Sequence, residues 1–371
     1  MSSESTENLR RTPLYDRHVE LGGKVVPFAG WELPVQYSGV IPEHHAVRTA
    51  AGIFDVSHMG EVLVTGADAE ANLQAMTCNN LATLVDGKAQ YNAIINESGG
   101  VVDDIIVYRY SKERFFVCVN AANTAKDFAW FIKHATGRVT FENHSDRYGQ
   151  IALQGPKALS ILARMPGDGV KAAAIKPFHF ADLNLAGVPV IVARTGYTGE
   201  DGAEIFIPVE KTVQIWDALL AHGAGEGLIP CGLGARDSLR LEACYPLHGH
   251  ELSDELTAIE SGLSWIVKLE KGQFRGSSVL STQLASGAPR ALVGFVVRDP
   301  GIARHGDRIL SPSGEQIGVV TSGTKTPTVN QALGMAIVQK PYAAVGGTVQ
   351  IEVRGRRLAA EIVKRPFYKP A

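Results

Sequence analysis

The chain has 371 residues, of which 45% are hydrophobic and 20% are charged, and its formal net charge is −2. This length predicts two or three domains with substantial hydrophobic cores. The nearly neutral charge argues against nucleic acid as a partner, because proteins that bind it usually present a clearly basic face.

The sequence predicts no targeting or membrane segment. Residues 1–10 are polar and include two glutamates, unlike a secretory signal or a transit peptide. No apolar run approaches the ~18 residues that cross a membrane. The four cysteines show no metal-ligand spacing, and of the eleven histidines only His44-His45 and His248-Gly-His250 cluster. The His-x-His pair could bind a metal from one strand face, but structural or loop histidines are favoured because no cysteine or third histidine is nearby in sequence. We therefore expect a cytoplasmic protein without a metal site.

The first three quarters of the chain mix helical and strand patterns. Predicted helices cover residues 42–51, 68–76, 124–134, 156–163, 213–221 and 233–242. Predicted strands cover residues 61–65, 91–96, 101–110, 115–119, 150–153 and 188–193. The hairpin signal at Gly99-Gly100 favours an α+β fold over a purely parallel sheet.

The last quarter of the chain shows a different pattern of composition and predicted elements. Residues 281–290 have the composition of a linker. Six short strands are predicted after it, at 291–298, 307–310, 315–322, 332–338, 347–353 and 357–364. This spacing without a helix is typical of a small β-barrel or jelly roll. The predicted bounds are therefore 9–280 for an α+β region, 281–290 for the linker and 291–371 for the barrel. We expect the α+β region to comprise two interleaved domains.

A run of three glycines and three acids occupies residues 195–205. Glycine at this density predicts a tight turn or a backbone that something approaches closely. Apolar, β-prone residues follow, so Glu204 is predicted where a loop enters a strand, in a position to recognise a ligand. The alternative is an acidic hairpin turn in solvent.

Two acids, Asp103 and Asp104, interrupt an otherwise apolar strand. Neighbouring strand residues point to opposite faces, so only one of the two can serve a given site. A charge on a half-buried strand is costly unless it is paired or used. The alternative is that both stay solvated near the turn at Gly99-Gly100.

Arg236 and Arg240 lie four residues apart on the predicted helix 233–242 and so share one of its faces. The spacing alone favours a set of salt bridges within that helix.

Seven motifs follow one another along the chain. They are Arg11-Thr-Pro-Leu-Tyr15, Phe28-Ala-Gly-Trp-Glu-Leu-Pro-Val-Gln-Tyr37, Phe54-Asp-Val-Ser-His-Met59, Gly99-Gly-Val-Val-Asp-Asp104, Leu153-Gln-Gly-Pro156, Thr195-Gly-Tyr-Thr-Gly-Glu-Asp-Gly202 and Ala235-Arg-Asp-Ser-Leu-Arg-Leu-Glu242. Together and in this order they resemble the glycine cleavage system T-protein family of aminomethyltransferases. The resemblance runs from about residue 9 to the C-terminus.

The resemblance implies a three-domain cloverleaf with tetrahydrofolate in its central channel. It also implies a reaction with lipoylated H-protein, whose aminomethyl group gives its methylene to tetrahydrofolate. The products would be 5,10-methylenetetrahydrofolate, ammonia and the dihydrolipoyl carrier.

The same match assigns the site residues. Glu204 matches the pterin-binding glutamate, whose carboxylate would accept two hydrogens from one edge of the pterin ring. Asp104 matches the catalytic aspartate, which would position the attacking folate nitrogen and stabilise a cationic methylene intermediate. Further folate-binding positions are matched by Met59, Tyr91, Asn120, Tyr197, Arg236 and Tyr368.

Two other classes of protein share this fold. One is the folate-dependent demethylases. The other is a non-catalytic class of folate-binding proteins that maintain iron–sulfur clusters and carry the signature Lys-Gly-Cys-Tyr-x-Gly-Gln-Glu. Here the corresponding stretch is Lys271-Gly-Gln-Phe-Arg-Gly-Ser277, which lacks the reactive cysteine.

Overall fold

The structure is a computed structural model that describes residues 9–370. Residues 1–8, on which the prediction of no targeting signal largely depends, lie outside the described residues. None of the helices within 9–370 has the length and apolar character needed to cross a membrane.

The strands of the described chain are β1 (Arg10–Arg11), β2 (Lys24–Phe28), β3 (Trp31–Gln36), β4 (Ala51–Asp55), β5 (Gly60–Thr65), β6 (Lys88–Ile95), β7 (Val101–Ser111), β8 (Arg114–Val119), β9 (Thr140–Asn143), β10 (Tyr148–Gln154), β11 (Phe180–Leu185), β12 (Val188–Ala193), β13 (Gly202–Pro208), β14 (Leu228–Pro230), β15 (Arg290–Val297), β16 (Arg308–Leu310), β17 (Gln316–Lys325), β18 (Ala332–Gln339), β19 (Thr348–Val353) and β20 (Arg356–Val363). The α-helices are α1 (Tyr15–Glu20), α2 (Val40–Thr49), α3 (Ala69–Met76), α4 (Thr124–His134), α5 (Ala158–Ala163), α6 (Gly169–Ala173), α7 (Thr212–Gly223), α8 (Leu233–Glu242) and α9 (Ser277–Ser286).

Two larger sheets organise the first three quarters of the chain. One has six strands in the order β11-β12-β13-β10-β4-β14, and the other has five in the order β6-β7-β8-β5-β9. Most neighbours are antiparallel, although β14 pairs with β4 in parallel. The predicted α+β class is confirmed.

The six-stranded sheet is covered differently on its two faces. One face packs against α5, α6 and α7 in an aliphatic core that includes the fully buried Trp216. The other face contributes Phe180 and Phe206 to an aromatic layer, to which the five-stranded sheet contributes Tyr108 and Phe116. Ring centroids within this layer lie 5.1–5.6 Å apart for Phe116–Phe206 and Tyr108–Phe206, in edge-to-face contact.

The C-terminal strands form a closed six-stranded barrel in the order β15-β18-β17-β16-β19-β20. Aliphatic side chains that alternate along the strands fill its interior, as a period-2 pattern requires. The predicted barrel is confirmed, with the strands close to their predicted bounds. The segment 281–290 differs from expectation, because α9 occupies it as far as Ser286. The domain bounds 9–280 and 291–371 stay a prediction.

The described chain divides into two compact units, each built from separate stretches of sequence. Unit 1 contains residues up to 70, 84–90 and 106–237, and unit 2 contains residues 71–83, 91–105 and 238 onwards. Of the predicted site residues, unit 1 holds Met59, Asn120, Tyr197, Glu204 and Arg236, and unit 2 holds Tyr91, Asp104 and Tyr368.

Candidate functional site

Glu204 is the third residue of β13, directly after the glycine-rich loop, as the sequence predicts. It pairs across the sheet with Ala152 and Ala193, and it points to the same face as Phe206, two residues further on. Small neighbours on both sides leave room around its carboxylate. Glu204 therefore faces the aromatic layer of unit 1.

Protein donors contact both carboxylate oxygens of Glu204. The Thr195 hydroxyl donates to Oε2 at 2.5 Å, and Gln150 Nε2 approaches Oε1 at a longer 3.4 Å. Burial raises the pKa of Glu204, while the Thr195 hydrogen bond and the positive charge of Arg236 both act to lower it. The carboxylate is thus partly desolvated but electrostatically supported.

Arg236 and Tyr197 lie together in unit 1. The guanidinium carbon of Arg236, on α8, lies 4.8 Å from the centroid of the Tyr197 ring, which is a cation–π distance. Because Arg236 also acts on the carboxylate of Glu204, the structure brings these three predicted residues into one neighbourhood.

Met59 and Asn120 lie at one end of a strand pair. Met59 precedes β5 and Asn120 follows β8, and Gly60 pairs with Val119 across these strands. Met59 also packs against the aromatic layer that Glu204 faces. The two residues are therefore neighbours at the edge of this layer.

Two acids of the glycine-rich run, Glu200 and Asp201, form ion pairs with arginines. Arg48 donates to Glu200 at 2.8 Å, with the two side chains only 3% and 6% exposed, and Arg194 pairs with Asp201. The alternative of an acidic hairpin turn in solvent is therefore wrong for Glu200, whereas the side chain of Asp201 is 56% exposed. These ion pairs fix the loop that leads into Glu204.

A second group of predicted residues lies in unit 2. The Tyr91 hydroxyl donates to Asp104 Oδ2 at 3.0 Å. The Tyr91 ring stacks on Trp265 with centroids 5.9 Å apart, and Trp265 is 61% exposed. Asp104 is partly buried, whereas Asp103 is fully buried. The alternative that both acids stay solvated is wrong.

Tyr368 is tied to the end of α8 in unit 2. Its backbone N–H donates to the Glu242 carbonyl at 2.9 Å, and the Glu242 carboxylate accepts from the backbone of Thr328 at 2.9 Å. Arg240 on the same helix pairs with Glu251 at 2.9 Å and contacts Ser322. These two partners of Arg240 lie outside the helix within which its spacing suggests a salt bridge.

Sequence reasoning missed two contacts of these groups. Thr195 begins the glycine-rich run, but only its glycines and acids suggested chemistry. Trp265 is a lone tryptophan in a stretch without regular periodicity. The spacing between Thr195 and Glu204 was the sequence signal that could have indicated their contact. No sequence signal indicated the contact of Trp265.

Asp55 and His58, from the motif 54–59, are buried in unit 1. Asp55 accepts from the Thr12 hydroxyl at 2.6 Å and the Ser57 N–H at 2.9 Å, and it contacts His18 Nε2 at 2.8 Å. Burial alone would raise the pKa of Asp55, but these contacts hold it below its ordinary value. Burial and the charge of Arg236 lower the pKa of His58 to about 4, so its imidazole is neutral.

Glu61 is a buried acid of unit 1 that no motif singled out. It is 1% exposed, and neither carboxyl oxygen has a hydrogen-bond partner among residues 9–370. Burial raises the pKa of Glu61 well above its ordinary value, and the nearby Asp146 adds to the effect. The folded state therefore binds this proton more tightly than the unfolded chain does.

We expect Glu61→Gln to raise the free energy of unfolding by about 1–3 kcal/mol at pH 8, because it removes an ionisable group that is costly to bury. The gain should shrink as the pH falls through the ordinary pKa of glutamate, because below it the unfolded wild type also becomes protonated. Urea unfolding of both proteins at a series of pH values checks this. A gain in the free energy of unfolding that does not depend on pH would contradict the raised pKa of Glu61.

The comparisons with known proteins cover nearly the whole chain. The model of the GCVT N-terminal domain matches residues 14–271, and that of the glycine cleavage T-protein C-terminal barrel domain matches residues 290–369. The chain is 47% identical over 365 residues to an aminomethyltransferase of Geobacillus kaustophilus (strain HTA426), covering 98% of this chain and 100% of that protein. It is 48% identical over 363 residues to an aminomethyltransferase of Bacillus cereus (strain ZK / E33L), covering 97% and 98%.

One solved structure is similar over the same length. It is the glycine cleavage system aminomethyltransferase T from Bartonella henselae, with a TM-score of 0.90 and 34% sequence identity. The similarity covers 98% of this chain and 99% of that one.

Proposed function

The chain belongs to the glycine cleavage T-protein family and is an aminomethyltransferase, and we propose that it transfers the methylene of an aminomethyl group from lipoylated H-protein to tetrahydrofolate. The observation that carries this proposal is the Glu204 carboxylate, held by Thr195 beside the charge of Arg236. Such a carboxylate fits a planar ligand edge that presents two N–H donors.

The residues around Glu204 suit a pterin ring in other respects. An aromatic ring, Tyr197, and a guanidinium, Arg236, lie beside the carboxylate and offer flat surfaces for a heterocycle. Met59 adds an adaptable apolar contact. We assign pterin binding to Glu204, Arg236, Tyr197, Met59 and Asn120.

The proposed chemistry balances without an oxidant or a metal. The carbon–sulfur and carbon–nitrogen bonds of the aminomethyl group break, and two carbon–nitrogen bonds to tetrahydrofolate form. The two protons lost by the folate nitrogens leave on ammonia and on the lipoyl thiol. The products are 5,10-methylenetetrahydrofolate, ammonia and dihydrolipoyl H-protein.

We assign the electrostatic part of this chemistry to Asp104. Its carboxylate would stabilise the positive charge that develops on the transferred carbon and would orient the attacking nitrogen. The Tyr91 hydroxyl, 3.0 Å from Oδ2, holds the carboxylate in place. We also assign Tyr368 to folate binding, and the support for this assignment is its match to a folate-binding position of the family.

The alternatives are not favoured. At the position where the iron–sulfur maintenance class carries its signature, Lys271 donates to the carbonyls of Gln74 at 2.8 Å and Asn79 at 3.0 Å. This lysine ties down the end of α3, and no cysteine stands within residues 271–277. A sulfonium demethylase is distinguished by its substrate and product, because it transfers a methyl group rather than a methylene to tetrahydrofolate.

The deciding experiment mixes the protein with tetrahydrofolate and aminomethyl-loaded H-protein and follows methylenetetrahydrofolate and ammonia together. Equal yields of the two products are expected. A parallel reaction replaces the loaded H-protein with a methylated sulfonium compound and follows 5-methyltetrahydrofolate. In that reaction the methyl group passes to a folate nitrogen, which loses its proton, and a neutral thioether leaves, so no oxidant is needed. Turnover only in that reaction would move the function to a demethylase, and tight folate binding without any turnover would favour the non-catalytic class.

A further inference from the structure

We propose that Thr195 is a positioning residue that fixes the Glu204 carboxylate as a two-oxygen acceptor for a ligand edge with two adjacent N–H donors. The inference deepens the proposed function and rests on it. It concerns residues of unit 1 alone.

The first support is the distribution of donors on the carboxylate. The Thr195 hydroxyl occupies one lone pair of Oε2 at 2.5 Å, and the Gln150 amide approaches Oε1 at 3.4 Å. A carboxylate offers about four acceptor positions, so each oxygen keeps capacity for a ligand donor. The short contact to Thr195 is the one that sets the plane of the carboxylate.

The second support is the direction of the hydrogen bonds that run from the Tyr108 hydroxyl through the Thr195 hydroxyl to Glu204. The Tyr108 hydroxyl lies 3.5 Å from Thr195 Oγ1. Burial, together with the charge of Glu204, raises the pKa of Tyr108 well above its ordinary value, so this phenol keeps its proton. Tyr108 can therefore donate towards Thr195, which leaves the threonine proton for Glu204.

The third support is the anchoring of Thr195 itself. Gln154 Nε2 donates to the Thr195 carbonyl at 3.2 Å, and Gln154 Oε1 accepts from the Thr198 hydroxyl at 2.9 Å. A side chain at Gly196 would bring its Cβ to 2.0 Å from that amide oxygen. Gln154 of the motif 153–156 therefore has a structural role, because it is hydrogen-bonded to both ends of the loop 195–198.

The inference predicts a pH signature that a purely structural threonine would lack. The Thr195 hydrogen bond lowers the pKa of Glu204 against the effect of burial. Without it, Glu204 would take up a proton at higher pH and would present a donor to the ligand. The charged and titratable groups that face this layer come from several elements. They include Arg236 on α8, Tyr197 in the loop, Tyr148 on β10, and Tyr108, Tyr110, Cys118 and Glu61 on the five-stranded sheet.

The test measures the dissociation constant of tetrahydrofolate from pH 5.5 to 8.5 for three variants. Thr195→Val should weaken binding about tenfold at pH 7 and make it steeply weaker towards low pH. Thr195→Ser should restore the wild-type profile. Thr198→Val, which loosens the same loop without touching Glu204, is the control and should leave the shape of the profile unchanged.

A wild-type profile in Thr195→Val, or an equal change in Thr198→Val, would overturn the inference. If Thr195→Val does not fold, Thr195→Ala, which also lacks the hydroxyl, replaces it, and an unchanged profile there would equally overturn the inference. Titration of Glu204 by ¹³C NMR in ligand-free protein separates this inference from the proposed function. A raised pKa in Thr195→Val supports it even if tetrahydrofolate does not bind, whereas an unchanged pKa overturns it.

Discussion

Asp104→Asn is expected to lower the turnover number about 10²–10³-fold, because it removes the negative charge opposite the carbon that becomes positive during transfer. Asparagine keeps the size of the side chain and can still accept from the Tyr91 hydroxyl, so tetrahydrofolate affinity should change little. Single-turnover formation of methylenetetrahydrofolate, with the dissociation constant of tetrahydrofolate measured separately, checks both parts.

Asp103→Asn is the matched control for this experiment. It makes the same chemical change one residue earlier on β7, on the opposite face of the strand and in a fully buried position. We expect it to lower thermal stability while folded enzyme keeps most of its turnover. Loss of turnover in Asp103→Asn with normal turnover in Asp104→Asn would reverse the assignment of the two acids.

The second large effect is expected from Glu204→Gln. The amide keeps one acceptor but turns a donor towards the ligand, so tetrahydrofolate should bind about 10- to 100-fold more weakly. Turnover at saturating tetrahydrofolate should fall much less, because Glu204 is assigned to binding. Fluorescence or calorimetric titration, combined with the transfer assay at high tetrahydrofolate, separates these two quantities.

Glu200→Gln is the control for Glu204→Gln. Glu200 belongs to the same glycine-rich run but pairs with Arg48 in a nearly buried ion pair. Breaking such a pair leaves an uncompensated charge and costs about 3–5 kcal/mol of stability. We expect a lower melting temperature with folate affinity largely kept. Equal losses of affinity in both variants would show that the loop as a whole, rather than Glu204, carries binding.

The sequence predicts much of the fold because its strongest signals are local. The bounds of α4, α8 and β12 agree with the predicted ones, since each has a clear apolar period and a recognisable end. The barrel strands are predicted for the same reason. Helix α9 was missed because serine, glycine and proline around residues 281–290 are typical of loops. Its helix is fixed by buried Ser277 and Leu280 instead.

The site is less predictable, because it depends on contacts between distant parts of the chain. Strand alternation separates Asp103 from Asp104, but nothing in the spacing indicates that Tyr91 contacts Asp104 or that Trp265 stacks on Tyr91. Likewise, Arg240 reaches Ser322, 82 residues away, although its sequence neighbours suggest a partner within the helix. The roles assigned to the site residues come from the family resemblance and stay predictions.

The discontinuity of unit 2 has a consequence for how the protein matures on the ribosome. Its residues 71–83 and 91–105, with Asp104 among them, are synthesised long before residues 238 onwards. Lys271 meets the carbonyl of Thr77 across 194 residues, and Val101 bonds to Ser253. Such distant contacts close slowly and leave apolar segments exposed meanwhile. Residues 71–83 and 91–105 therefore lack their partners until residues 238 onwards, more than a third of the chain, have emerged, and truncated products should be prone to aggregation.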